Sequence, residues 1–192
     1  MPPTGERTLR ADAQRNRDRL LEVAARAFAA GGDPTLEAIA REAGVGIGTL
    51  YRHFPTREAL VEAVYAAELD DVTASAPALL EELPPEAALR AWMDRYAAFV
   101  ETKRGMADIL RASMASGRIA TPATRRRITA AIGAILDAGA RAGTLRAGVD
   151  PEDVTLMLLG VFLSTSAVQD AERVGRMLDL IIDAVRPVPG TP

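Results

Sequence analysis

Cysteine is missing from the 192 residues, which excludes disulfides, thiolate metal sites and thiol nucleophiles. Histidine occurs once, at position 53, so no second imidazole is available to share a metal or to assist a catalytic ring. Aromatic residues make up 4% of the chain. Valine, isoleucine and threonine are modest beside abundant alanine, leucine and arginine, a mixture that suits helices and fits strands poorly. An all-α fold is expected. Long hydrophobic runs are also lacking: the most apolar stretch, residues 154–163, is about half of what a bilayer span needs. The opening residues 1–17 contain no apolar segment of the kind found in secretory leaders. A cytoplasmic protein without a membrane partner is therefore expected. No glycine loop of phosphate-cradling pattern, metal cluster or nucleophile with a base is present, so no cofactor, metal or catalytic residue is expected.

Net charge is small too, but its distribution is uneven. Residues 1–57 carry nine arginines against seven acids, +2, and residues 58–192 carry fourteen basic residues against nineteen acids, −5, giving the net −3. The basic N-terminal stretch is where a polyanion would be received. The excess is small enough that charge permits nucleic-acid binding without requiring it.

What is present is helical periodicity with clear punctuation. Leu20, Ala24, Ala27 and Phe28 recur at three- and four-residue intervals in a helix expected over Asp12 to Ala30, which Gly31-Gly32 ends. Thr35 is placed to cap a two-turn helix, Leu36 to Ala43, with Glu37 in its first turn. After the corner Gly44-Val45-Gly46, the pattern resumes in a second short helix, Ile47 to Phe54, which stops before Pro55. Two short helices around a glycine corner make a helix-turn-helix. A longer connecting helix follows, expected to run to about Ser75, and Pro77 to Pro85 suggests a break. Further helices are expected over Glu86–Arg104, Met106–Ser116, Pro122–Ala142, Pro151–Gln169, where Asp150 is the N-cap, and Ala171–Arg186. The expected organisation is an arm and helix-turn-helix over 1–57, a connecting helix over 58–76, a helical domain over 77–186 and a disordered tail over 187–192.

The segment TLEAIAREAGVGIGTLYRHFPTREALVEAV resembles the DNA-binding domain of the TetR family of regulators, matching at Thr35, Ile39, Ala40, Ala43, Gly44, Val45, Gly48, Thr49, Leu50, Tyr51, Phe54, Glu58 and Leu60. Beyond Pro77 the chain is most similar to family members with an SbtR-like C-terminal domain. The resemblance implies a DNA-binding transcription regulator, usually a repressor, that leaves a palindromic operator when a small-molecule effector binds. It implies contacts to double-stranded DNA from Thr35, Gly46, Ile47, Gly48, Thr49, Tyr51, Arg52, His53 and Arg57, with Tyr51 gripping phosphate. Each has a physical role: Gly48 lets the backbone approach the groove, Ile47 suits a thymine methyl, Thr35 offers an amide and hydroxyl to phosphate, and Arg52, His53 and Arg57 flank the backbone. Arg7, Arg10, Arg15 and Arg17 form a possible arm to the adjacent phosphates or minor groove. Gly46 stands where the family commonly has a capping serine, and Pro55-Thr56-Arg57 replaces a lysine-containing stretch.

Trp92, Met93, Tyr96, Phe99, Met106, Ile109, Leu110 and Met114 recur at helical spacing, as ordinary core residues do. The resemblance implies that some line an effector pocket, with Trp92, Met93, Tyr96, Met106, Leu110 and Met114 as candidates. Residues 154–163 are apolar nearly all round and need cover from two sides; the resemblance implies a homodimer through the last two helices, with Gly160, Ser164 and Ala167 allowing close approach. Arg125-Arg126-Arg127 reads as a solvated helix start before it reads as a second nucleic-acid site. Two other classes compete with a regulator: an all-helical enzyme, and a dimeric interaction protein that keeps the module without an operator.

Overall fold

The computed structural model describes residues 4–31, 33–165 and 170–187, with side chains from Ala11 onward. Among these residues there are nine helices and no strand: α1 (Thr4–Ala29), α2 (Leu36–Glu42), α3 (Ile47–His53), α4 (Arg57–Glu82), α5 (Pro85–Arg104), α6 (Ala107–Ala115), α7 (Thr121–Ala142), α8 (Pro151–Ser164) and α9 (Ala171–Val185). The chain divides into two units, Met1–Glu68 with Glu101–Ile119, and Leu69–Val100 with Ala120–Pro192. Each has its own core.

In the first unit, Leu20, Ala24 and Phe28 of α1 face Ile39 and Ala40 of α2 and Leu50 of α3, all at 0–2% exposure. The three helices meet pairwise. Each large apolar side chain taken out of water here contributes about 1.5–3 kcal/mol. Phe54, just past α3, is buried with them. It holds an extended conformation, φ −135° and ψ 90°, as the clash of Pro55 with its backbone requires. Thr56 restarts the helix by accepting a hydrogen bond from the Ala59 amide at 3.1 Å.

In the second unit, α7 buries Ile128, Ala131, Ile132, Ile135 and Leu136, a stripe at three- and four-residue spacing that packs on α8. Asp150 caps α8 by accepting from the Glu152 amide at 2.8 Å, with Pro151 at the first position, as the sequence indicates. The loop between α7 and α8 is tied to the end of α9 where the Arg146 amide donates to the Val185 carbonyl at 2.8 Å.

Three element ends differ from expectation. Helix α1 begins at Thr4, eight residues before the expected Asp12. Helix α4 does not stop near Ser75 but continues through Pro77 to Glu82. Leucine and glutamate are good helix formers, and Leu79 is buried, so packing outweighs one proline. In the turn before Pro77, the Val72 carbonyl accepts hydrogen bonds from the Ser75 hydroxyl at 2.8 Å and the Trp92 indole at 2.9 Å. Helix α8 ends at Ser164 rather than Gln169. Residues 166–169, and with them Ala167, lie outside the described residues, as does the expected disordered tail beyond Pro187.

Candidate nucleic-acid interface

The turn between α2 and α3 follows from its glycine. Gly44 has φ +67°, a left-handed conformation that costs a residue with a Cβ about 1–2 kcal/mol. In that conformation its amide donates to the Arg41 carbonyl at 3.1 Å, and the Val45 amide donates to the Ala40 carbonyl at 2.9 Å. The pair of bonds closes the C-terminal end of α2. At the other end, the Thr35 hydroxyl accepts from the Ala38 amide at 3.2 Å.

Helix α3 has seven residues and two faces. Leu50 is fully buried, and Phe54 beyond the helix is buried on the same side. Ile47, 38% exposed, and Tyr51, 44% exposed, lie one turn apart on the opposite side. Gly48 and Arg52 are exposed beside them, and a Cβ built on Gly48 would meet nothing within 4 Å. Arg52 Nε donates to the Gly48 carbonyl at 3.2 Å, which lays its guanidinium along that outer face. Thr49 is half-buried, and Thr35 and Gly46 are exposed. Gly46 caps α3 with no side-chain hydrogen bond, as its lack of a side chain dictates. His53 is half-buried, its ring 6.1 Å from that of Phe54.

Arg57 turns the other way. It donates to the Pro34 carbonyl and pairs with Asp33, while its guanidinium lies 5.5 Å from the centre of the buried Phe28 ring. Of the arm candidates, Arg15 pairs with Asp12 and Arg17 lies over the Phe54 ring at 5.5 Å. The side chains of Arg7 and Arg10 lie outside the described residues.

The first unit also contains a polar network absent from the sequence-based reading. Glu62 of α4 accepts from the buried Ser113 hydroxyl of α6 at 2.6 Å and from Arg118 Nε at 2.6 Å. The Ser113 hydrogen bond, and after it the Arg118 hydrogen bond, hold the Glu62 carboxyl below its ordinary range. Partners 51 and 56 residues apart leave no local signature.

The six pocket candidates are divided between the units. Trp92, Met93 and Tyr96 are fully buried in the second unit. There the Trp92 and Tyr96 rings stack at 5.8 Å, and Tyr96 meets Phe162 at 5.5 Å. Met106 and Leu110 are buried and Met114 half-buried in the first unit. A groove of about 520 Å³ between α5 and α9 is lined instead by charged residues that include Glu86, Arg90, Asp179 and Arg186. Arg90 bonds Asp179 at 2.7 Å and Arg186 bonds Glu86 at 2.6 Å. Two of the arginine triplet are likewise engaged: Arg125 pairs with Glu152 at 2.7 Å and Arg127 with Asp70 at 2.6 Å. Among the described residues, no group of three acidic or histidine side chains is placed to hold a metal, and no helix is long and apolar enough to cross a membrane.

A short helix exposing Ile47, Gly48, Tyr51 and Arg52, held by a glycine corner on two supporting helices, defines a helix-turn-helix protein of the kind whose second helix enters the major groove. Residues 20–64 match the family model for bacterial regulatory proteins of the tetR family, and residues 84–187 match that for the C-terminal domain of SbtR-like transcriptional regulators. A TetR transcriptional regulator of known structure from Streptomyces coelicolor is 47% identical, the likeness covering 90% of this chain and 99% of that one with a TM-score of 0.80. A TetR transcription regulatory protein from Mycobacterium vanbaalenii is 38% identical over 93% of this chain and 99% of its own, with a TM-score of 0.72. An HTH-type transcriptional regulator of Staphylococcus aureus strain USA300 is 41% identical over 64 residues, so the chain matches 35% of the length of that curated relative. The chain belongs to the TetR family of transcriptional regulators.

Proposed function

We propose that this chain is a cytoplasmic repressor that binds a palindromic operator as a homodimer, is released by a small-molecule effector and catalyses no reaction of its own. The observation that carries the DNA-binding part is the outer face of α3. Among the described residues of the first unit, Ile47 and Tyr51 are the exposed large apolar ones, and they flank a glycine with open space above it. Such a face is costly in water and useful in a groove, where Ile47 meets thymine methyls and Tyr51 and Arg52 reach phosphates. Thr35, Gly46, Thr49 and His53 complete the contact set.

The apolar stripe on α8 and α9 supports the dimer. Leu156, Met157 and Leu163 of α8 and Leu180 of α9 are 44–76% exposed, and Gly160 and Ser164 lie in the α8 stripe, exposed. A symmetric partner covers this stripe and sets two recognition helices about one duplex turn apart. For the effector, the aromatic cluster around Trp92, Met93 and Tyr96 offers apolar and stacking surface, and Met106, Leu110 and Met114 remain candidates. The effector acts by binding the DNA-free state more tightly than the DNA-bound one.

Gel retardation of the DNA upstream of the chain's own gene and of its neighbours, at low salt, tests this reading. The wild type is expected to retard at least one fragment in a salt-dependent way, and a Tyr51→Phe, Thr49→Ala double variant to bind it more weakly. Retardation of none of the fragments counts against the proposal and in favour of an interaction protein without an operator.

A further inference from the structure

We propose that Arg57 is a positioning residue that clamps the loop between α1 and α2, rather than one of the phosphate contacts. The inference rests on the DNA-binding reading above and revises one residue of the contact set that the resemblance implies. A basic side chain beside a recognition helix invites assignment to the DNA backbone, yet the Arg57 side chain is only 27% exposed. One face of its guanidinium and both terminal amino groups have partners within the protein. That face lies over the Phe28 ring, at 0% exposure. One amino group donates to the Pro34 carbonyl and the other pairs with Asp33. A planar cation with forked donors suits this combination of stacking and hydrogen bonding, and a lysine ammonium reproduces it poorly.

The loop thus gripped leads directly to Thr35, the N-cap of α2. Without the clamp, the Pro34 carbonyl loses its cationic donor, and Asp33, 93% exposed, has little else to fix it. Phe28 itself is pinned from another side. A Cβ added to Gly105 would come within 2.2 Å of the Phe28 carbonyl oxygen, so the chain at Gly105 lies directly against the backbone that carries the ring. The ring is a fixed platform, and Arg57 transfers that fixity to residues 33–35.

Two measurements on the full-length protein decide between clamp and phosphate contact. The first is hydrogen exchange of the free protein, read by mass spectrometry over residues 33–40 in wild type, Arg57→Ala and Arg57→Lys. The clamp predicts exchange at least fivefold faster in Arg57→Ala, with Arg57→Lys rescuing only part of the difference and the α8 peptides unchanged. The second is the salt dependence of binding to a retarded fragment. A phosphate contact in each half-site would lower the magnitude of the log–log slope by about 1.8 for the dimer on removal. The clamp instead predicts weaker binding, at least tenfold, at an unchanged slope. Wild-type exchange over residues 33–40 in Arg57→Ala, full rescue by lysine, or a slope loss near 1.8 would each overturn the proposal. Should Arg57→Ala not fold, Arg57→Gln, which also removes the charge, replaces it in both readings with the same expected and overturning outcomes. Should no fragment be retarded by the wild type, the regulatory reading is what fails, and the exchange measurement still tests the clamp.

Discussion

Replacing Gly48 by alanine is expected to raise the stability of the protein while weakening its hold on DNA. The first effect comes from the free structure: Gly48 lies inside α3, exposed, and a Cβ there meets nothing within 4 Å. With no clash to offset it, the gain is the ordinary helical preference of alanine over glycine, about 0.5–1 kcal/mol. For a chain of 192 residues, a kcal/mol moves the melting temperature by about 2–4 °C, so a rise of about 1–4 °C is expected. The second effect comes from the groove. A methyl between the α3 backbone and the duplex holds Ile47, Tyr51 and Arg52 off their contacts, and a tenfold loss of affinity, about 1.4 kcal/mol, is the least expected. Thermal unfolding and fluorescence anisotropy on one retarded fragment read both quantities from one preparation. Unchanged affinity in Gly48→Ala would show that the backbone of α3 does not approach the DNA. Lower stability would show that the space over Gly48 is not open.

Other outcomes follow from single contacts. Leu163→Asp puts a charge on a side chain that is 76% exposed in the single chain. It should therefore leave helix content unchanged while converting the dimer to monomer, with at least a hundredfold loss of operator affinity; a dimer in light scattering would contradict the interface. Gly105→Ala forces a Cβ to within 2.2 Å of the Phe28 carbonyl oxygen, and a cost of about 1–3 kcal/mol should appear in denaturant unfolding. Glu62, whose carboxyl is held below its ordinary range by Ser113 and then Arg118, binds fewer protons folded than unfolded. Its stabilisation is complete above the unfolded value of about 4.3 and is lost as pH falls through the lower folded value. Glu62→Gln should thus flatten the loss of stability below about pH 4.5, and an unaltered acid limb would remove Glu62 as its source.

Much of the DNA-reading unit is legible because its signals are local. Thr35, the Gly44 corner, Pro55 and the spacing of Leu50 and Phe54 each act within one helical turn, and the structure places α2 and α3 within a residue of the expected ends. Where the determinant is distant, the sequence misleads or is silent. Pro77 reads as a break because local propensity counts its missing amide and cannot count the burial of Leu79. The grouping of Glu101–Ile119 with the N-terminal residues has no sequence signature. It depends on contacts such as Gly105 on Phe28 and Ser113 on Glu62, made between residues more than fifty positions apart.

Arg52 and Arg57 show the limit most sharply, because charge and position assign them the same role. Five residues apart and flanking one recognition helix, both read as phosphate ligands by electrostatics alone. Arg52 makes a bond within its own helix, to a carbonyl four residues back, which leaves its side chain on the exposed face. Arg57 begins the next helix, on the side that faces the α1–α2 loop, and its partners Phe28, Asp33 and Pro34 lie 23–29 residues earlier. A phosphate on Arg57 would have to displace a carbonyl, a carboxylate and an aromatic face together, whereas a phosphate on Arg52 displaces only water and one weak bond. Net charge near a duplex therefore brings the protein to DNA, and the partners each cation already has decide which of them is free to touch it.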